Sequence, residues 1–184
     1  MLKEAVLKPE IRFEVFESSL FSELNISVHD LLLSAFEGDF SEEDWQHSFG
    51  GVRLIGFMNE EIVAHGAVVP RVVRIDDVEE IIGYVEAIAV DPRFWRQGIG
   101  TALMREITKI CMSQYEFSML STGEKDFYRR FGWVDFKGES YVDLGEKVIR
   151  SEEEDEGLMH LGVGKYLNVS PLKVVCKSRA GDAW

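Results

Sequence analysis

The sequence predicts a mixed α/β protein of one domain with an antiparallel start. Three observations carry that expectation. A length of 184 residues is about one domain's worth. Strand-like apolar runs are interleaved with segments of helical spacing, and the centre of the chain reads strand, glycine loop, helix, strand. No internal repeat, low-complexity tract or Pro/Gly/Ser-rich linker divides the chain, so residues 1–184 are read as a single domain.

The elements are read in chain order. Arg12 to Phe16 alternates like a strand, and Asn25 to Phe36 carries Ile26, Leu31, Leu32, Leu33 and Ala35 in a helix-like pattern. Ser41 followed by Asp44 is an N-cap signature for a short helix ending near Gly50-Gly51. Val52 to Phe57 and Ile62 to Val69 flank the polar turn Asn59-Glu60-Glu61, which reads as a hairpin. Tyr84 to Val90 is a more deeply buried strand halted by Asp91-Pro92. After Gly98, residues Ile99, Leu103, Ile107, Ile110 and Cys111 fall on one face of a long amphipathic helix. Phe117 to Leu120 is a short strand, and Glu124 to Phe131 a helix stopped by Gly132. Trp133 to Phe136, Ser140 to Leu144 and Leu172 to Cys176 supply late strands.

Apolar residues at 46% and charged residues at 29% are globular values. Against 20 Lys and Arg stand 33 Asp and Glu, a net charge of −13 that repels phosphate backbones and attracts cations. Nucleic acid is therefore a poor partner and a cationic small-molecule amine a better one. Cys111 and Cys176 form no C-x-x-C pair and lack a nearby His, so they read as buried thiols. His29, His47, His65 and His160 show no metal-ligand spacing, and no metal is expected. The opening stretch Met1 to Glu10 is interrupted by charge, and no run of 18 apolar residues occurs, which reads as a cytoplasmic chain without a membrane partner.

The segment Trp95-Arg96-Gln97-Gly98-Ile99-Gly100 joins a buried strand to a helix start, where backbone N–H groups and the helix dipole suit a phosphate. Taken alone, it reads equally as an ordinary tight turn. As a dinucleotide fingerprint it fails, because the third glycine is missing. Gly162-Val163-Gly164-Lys165 imitates the end of a P-loop, but Met159 stands where the first glycine is needed and Tyr166 replaces the Ser or Thr, so it reads as a loop.

Three runs taken together, Tyr84 to Pro92, Arg96 to Gly100 and Phe127 to Trp133, resemble the GNAT superfamily of N-acetyltransferases in order and spacing. More narrowly, Ala35 to Phe40, Gly83 to Glu86 and Arg179 to Trp184 look like the aminoglycoside 2′-N-acetyltransferases. One departure is Trp95, which stands where the superfamily loop usually has Gln or Arg. The resemblance implies the GNAT acyl-CoA N-acyltransferase fold, a central mostly antiparallel sheet flanked by helices, and acetyl-CoA as cosubstrate, held by Ile88, Ala89, Val90, Trp95, Arg96, Gln97, Gly98, Ile99 and Gly100. It implies acetyl transfer to the 2′-amine of an aminoglycoside by direct attack, hence antibiotic resistance, and a homodimer.

Such chemistry needs a deprotonated amine, a polarised thioester and a protonated route for the departing thiolate. By resemblance Glu86 is the base acting through water, Tyr128 the acid toward the thiolate, and a backbone N–H at Ile88 or a neighbour the donor to the acyl oxygen. Read without the resemblance, Glu86 is equally a solvent-facing strand carboxylate, and Tyr128 a tyrosine packing beside Phe127 and Phe131. The acceptor side is assigned to Asp39, Glu86, Ala87, Ser121, Glu154, Asp155, Asp182 and Trp184, the last through its α-carboxylate; carboxylates suit ammonium and hydroxyl groups alike. Most of the acidic run Ser151 to Glu156 is expected to be a solvated loop, with one or two members facing the site. Two rivals remain: an acetyltransferase for another amine, such as a polyamine or cell-envelope amino sugar, and a module that binds drug or acyl-coenzyme A without turnover.

Overall fold

The structure is a computed structural model that describes residues 10–17 and 22–184; the charged opening stretch Met1 to Pro9 lies outside them. The described strands are β1 (Arg12–Phe16), β2 (Val52–Met58), β3 (Glu61–Ile75), β4 (Val78–Val90), β5 (Phe117–Ser121), β6 (Val134–Asp135), β7 (Glu139–Asp143), β8 (Val148–Arg150), β9 (Leu158–Gly162) and β10 (Lys173–Lys177). The helices are α1 (Ser22–Ala35), α2 (Glu42–His47), α3 (Ile99–Gln114), α4 (Lys125–Arg129) and α5 (Glu152–Asp155).

One sheet runs β6-β9-β5-β4-β3-β10-β7-β8, with β2 on β3 and β1 on β2. The β4–β5 and β10–β7 pairs are parallel and the other pairs antiparallel. Two hairpin turns organise the centre: Asn59-Glu60 and Asp76-Asp77 all take positive φ, the geometry that matches the twist of two-residue hairpins. The second hairpin makes β3 and β4 longer than the sequence pattern suggests. The sequence pattern ends one strand at Val69 and begins the next at Tyr84, yet both strands continue through the Pro70–Gly83 pair. Pro70 is tolerated because it lies after β2 pairing ends at Val68 and before β10 pairing begins at Val73, so its missing N–H costs no ladder bond on that edge.

Apolar cores pack on the sheet. Ile99, Leu103, Ile107 and Cys111 of α3 meet Val63, Val68 and Val85, as the helical spacing predicts; Met104, outside that spacing, joins them, and Ile110 is only half-buried. A second cluster joins Tyr84, Ile82, Phe117, Val174 and Trp184. In the third, Val28 and Leu32 of α1 and Trp45 of α2 cover Ile55 and Ala89. Helix α1 starts before Asn25, and its buried stripe is Val28, Leu31 and Leu32; Ile26 is exposed because it falls off that stripe. The Ser41–Asp44 capping box forms as the sequence suggests. Both cysteines are buried.

Strands β8 and β9 and helix α5 have no counterpart in the sequence-based order. Gly162 to Lys165 is the end of β9 and the start of a 3-10 turn, with Lys165 paired to Glu80 and Glu116. No helix among the described residues is long and apolar enough to cross a membrane.

Candidate active site

The site begins where β4 and β5 part company. They pair only at Gly83–Ser118 and Tyr84–Met119, after which β4 runs on to Val90 with no β5 partner. The gap opens into a groove of about 870 Å³ lined by Ile88, Ala89, Val90, Trp95, Arg96, Gly98, Ile99, Gly100, Phe127 and Tyr128, among others. At one end lies the N-terminus of α3. Gly98 is its N-cap in the left-handed region (φ 86°) and carries no side chain that could cap the helix. The first N–H groups of a helix have no partner within it, so this end offers donors and the positive pole of the dipole to an anion.

Of the residues assigned to the cosubstrate, Ile88, Ala89, Val90, Trp95, Arg96, Gly98, Ile99 and Gly100 come together in this groove. Gln97 does not; it lines a smaller neighbouring pocket with Ile11 and Met58. Trp95 half-exposes its ring and donates its indole N–H to the Val90 carbonyl at 2.7 Å, tying the loop to the end of β4.

A second pocket, about 400 Å³, adjoins the first and shares Phe36, Ile88, Thr122 and Tyr128 with it. Its wall carries four carboxylates, Asp39, Asp44, Glu86 and Asp182, together with Ala87, Ser121 and Trp184. Asp44, Phe36, Phe40, Tyr84 and Thr122 were not singled out from the sequence. Asp44 carried a visible signal, but it was read only as the capping residue of α2, which it also is. The Phe36 and Phe40 rings stack at 5.2 Å beside the acidic wall.

Glu86 is mostly buried, and its Oε1 accepts a hydrogen bond from Arg179 Nη1 at 2.8 Å. Arg179 also donates to the Asp182 carbonyl at 2.7 Å, so the last residues of the chain are held over Glu86. Sequence reasoning gave Arg179 no role. Trp184 is buried in the second core cluster and donates its indole N–H to Ser151 Oγ at 3.2 Å. Burial pushes the Tyr128 hydroxyl up to about 12, against a smaller downward pull from Thr122.

The acidic run behaves differently from the assignment. Asp155 is not brought into the acceptor pocket: its carboxylate accepts from the Ser140 amide and hydroxyl and pairs with Arg150, fastening α5 to β7 and β8. Glu154 lies outside the lining but near it. Burial, then the charges of Asp182 and Glu153, push its carboxyl up. Among the described residues, no three His, Cys, Asp or Glu side chains converge as a metal site.

A parted parallel strand pair, a glycine-opened helix N-terminus and an adjoining acidic pocket meet at Ile88, Thr122 and Tyr128. The chain belongs to the acetyltransferase (GNAT) family, which matches residues 21–133. An aminoglycoside 2′-N-acetyltransferase of Mycolicibacterium fortuitum is 33% identical over 175 residues, covering 92% of this chain and 90% of that one. The fold is that of the GNAT family N-acetyltransferase YhbS from Escherichia coli in complex with CoA (TM-score 0.64, 17% identity, 96% of this chain and 93% of that one). It is also that of a Brucella melitensis GNAT family acetyltransferase in complex with acetyl-CoA (TM-score 0.57, 16% identity, 83% and 89%). Some similar chains are longer: this one spans 33% of a probable N-acyltransferase from Enterococcus faecalis.

Proposed function

We propose that the protein transfers the acetyl group of acetyl-coenzyme A to the 2′-amine of an aminoglycoside, and so inactivates an antibiotic. The observation that carries this reading is the junction of the two pockets at Ile88, Thr122 and Tyr128, with an anion-seeking helix end on one side and four carboxylates on the other. The Mycolicibacterium relative supports the choice of acceptor.

Acetyl-coenzyme A supplies an activated acyl group and a thiolate leaving group. The α3 N-terminus with Gly98 to Gly100 and Arg96 would hold its phosphates, and the unpaired edge of β4 from Ile88 to Val90 its extended arm. A backbone N–H of that edge would donate to the acyl oxygen. Glu86 takes the proton from the amine through a water; Oε1 is engaged by Arg179, and Oε2 is the oxygen left for the relay. Direct contact would stabilise the ammonium form and oppose attack, which is why a water intervenes. Tyr128 gives a hydrogen bond to the departing sulfur. Asp39 and Asp182, with Ser121 and the Ala87 backbone, hold the remaining ammonium and hydroxyl groups of the acceptor.

The test is thiol release from acetyl-coenzyme A with 2′-amino aminoglycosides, 2′-hydroxyl aminoglycosides, a polyamine and a lysine peptide. Turnover confined to the 2′-amino compounds is expected. Turnover with the polyamine or peptide alone would overturn the acceptor, and binding without turnover would overturn the reaction.

A further inference from the structure

Acetyl transfer at this site takes place on the stretch Glu86–Ile88, and a role for the residues packed behind that stretch rests on this functional reading. In the β3–β4 ladder His65 pairs with Ala89 and Ala67 with Glu86, so the single residue Gly66 faces two, Ala87 and Ile88. This is a bulge in β4, and Ala87 within it takes φ 50°. The left-handed region is costly for a residue with a Cβ and persists only where its surroundings impose it.

One contact on Ala87 comes from behind the strand. His65 is fully buried, and its Nδ1 lies 2.8 Å from the Ala87 carbonyl oxygen. Its Nε2 lies 3.1 Å from Arg53 Nε, which can only donate. Nε2 is therefore the acceptor, Nδ1 carries the proton, and the ring donates to Ala87. Arg53 is itself buried: its Nη1 donates to Asn25 Oδ1 of α1 at 3.1 Å, and its guanidinium lies over Trp45 at 4.7 Å and Phe49 at 4.8 Å. Neither His65 nor Arg53 lines the groove or the acceptor pocket.

We propose that His65, oriented by Arg53, is a positioning residue for acyl transfer: its Nδ1–H holds the Ala87 carbonyl inward and fixes the bulge that sets Glu86 and the Ile88 backbone at the junction. Loss of the clamp relaxes the bulge and misplaces both groups while leaving the α3 phosphate site intact. The defect falls on kcat and not on the affinity for acetyl-coenzyme A.

Two measurements test this. In the wild-type protein, imidazole 15N NMR is expected to show His65 as the neutral Nδ1–H tautomer from pH 5 to pH 8; an Nε2–H tautomer or a charged ring would overturn the proposal, whatever the variants do. Steady-state thiol release then compares His65→Leu, which cannot donate, with His65→Asn, whose amide can take the place of Nδ1–H. The leucine variant is expected to lose about 10- to 100-fold in kcat with KM for acetyl-coenzyme A within about twofold, and the asparagine variant to recover most of the loss. Wild-type kcat in folded His65→Leu, or equal losses in the two variants, would overturn it. Should His65→Leu not fold, the asparagine variant and the tautomer decide. A wild-type protein inactive on every amine would instead sink the reaction while leaving the tautomer result standing.

Discussion

Tyr128 keeps its proton through neutral and mildly alkaline solution, because burial pushes its hydroxyl up to about 12. Against a thiol near 8.5, full proton transfer from it is uphill by about 5 kcal/mol, so the role proposed for it is hydrogen bonding to the sulfur as charge develops there. Tyr128→Phe is expected to lower kcat about 100-fold with little change in KM for acetyl-coenzyme A, and the wild-type rate to show no loss from Tyr128 ionisation up to pH 10; thiol release across pH checks both. His65 makes a second prediction at this scale. Burial, then Arg53's charge, lower its pKa from 6.5 to about 3, so below pH 6.5 the unfolded chain takes up a proton that the folded chain refuses. The stability is present above pH 6.5 and lost as pH falls, by about 2 kcal/mol from pH 7 to pH 5. Urea unfolding should show that slope in the wild type and not in His65→Asn; identical slopes would contradict it. Glu86 and Tyr128 could be nominated because each sits in a run that resembles the GNAT superfamily. The Arg179–Glu86 contact could not, since 93 positions separate the partners. The position of Asp155 outside the pocket lining is not legible for a related reason: an acidic run does not reveal which members turn toward Ser140 and Arg150.

Among the elements, the proposed function depends on what is missing beside β4. A β5 strand that stays paired would cover the edge from Ile88 to Val90, and a bulge-free ladder would return Ala87 to ordinary extended geometry. Gly66 is part of this device. A Cβ there would lie 2.7 Å from Ile88 Cδ1 and 3.1 Å from Ile107 Cδ1, between β4 and α3. Gly66→Ala is therefore expected to cost about 1–3 kcal/mol and to lower kcat, as the side chain of Ile88 is pushed aside; unchanged thermal stability and turnover would contradict that packing. The long strand–loop–helix centre was legible because α3 has a full apolar stripe and Gly98 marks its start. The far ends of β3 and β4 were not, because Pro70 and the acidic positions before Gly83 look like breaks until the positions of β2 and β10 are known. Strand β9 was lost in the same way: its glycine end imitates a loop.

The whole molecule carries a charge of −13, and four carboxylates converge in the acceptor pocket. Both favour a polycation over long range, while the anionic cosubstrate must rely on the local donors of the α3 N-terminus. Raising ionic strength from about 0.01 to about 1 M shortens the Debye length from about 30 to about 3 Å, so KM for a polycationic amine should rise several-fold while KM for acetyl-coenzyme A holds or falls. A fall in KM for the amine would contradict electrostatic capture. In the proposed reaction two ligands of opposite charge meet at Ile88 and Tyr128. An NMR titration of isotope-labelled protein with coenzyme A and, separately, with a 2′-amino aminoglycoside tests that meeting. Coenzyme A is predicted to shift the amides of Gly98 to Thr101, the aminoglycoside those of Asp39, Ser121 and Asp182, and both ligands those of Ile88 and Thr122. Unmoved amides at the start of α3, or two sets of shifted residues with none in common, would contradict it.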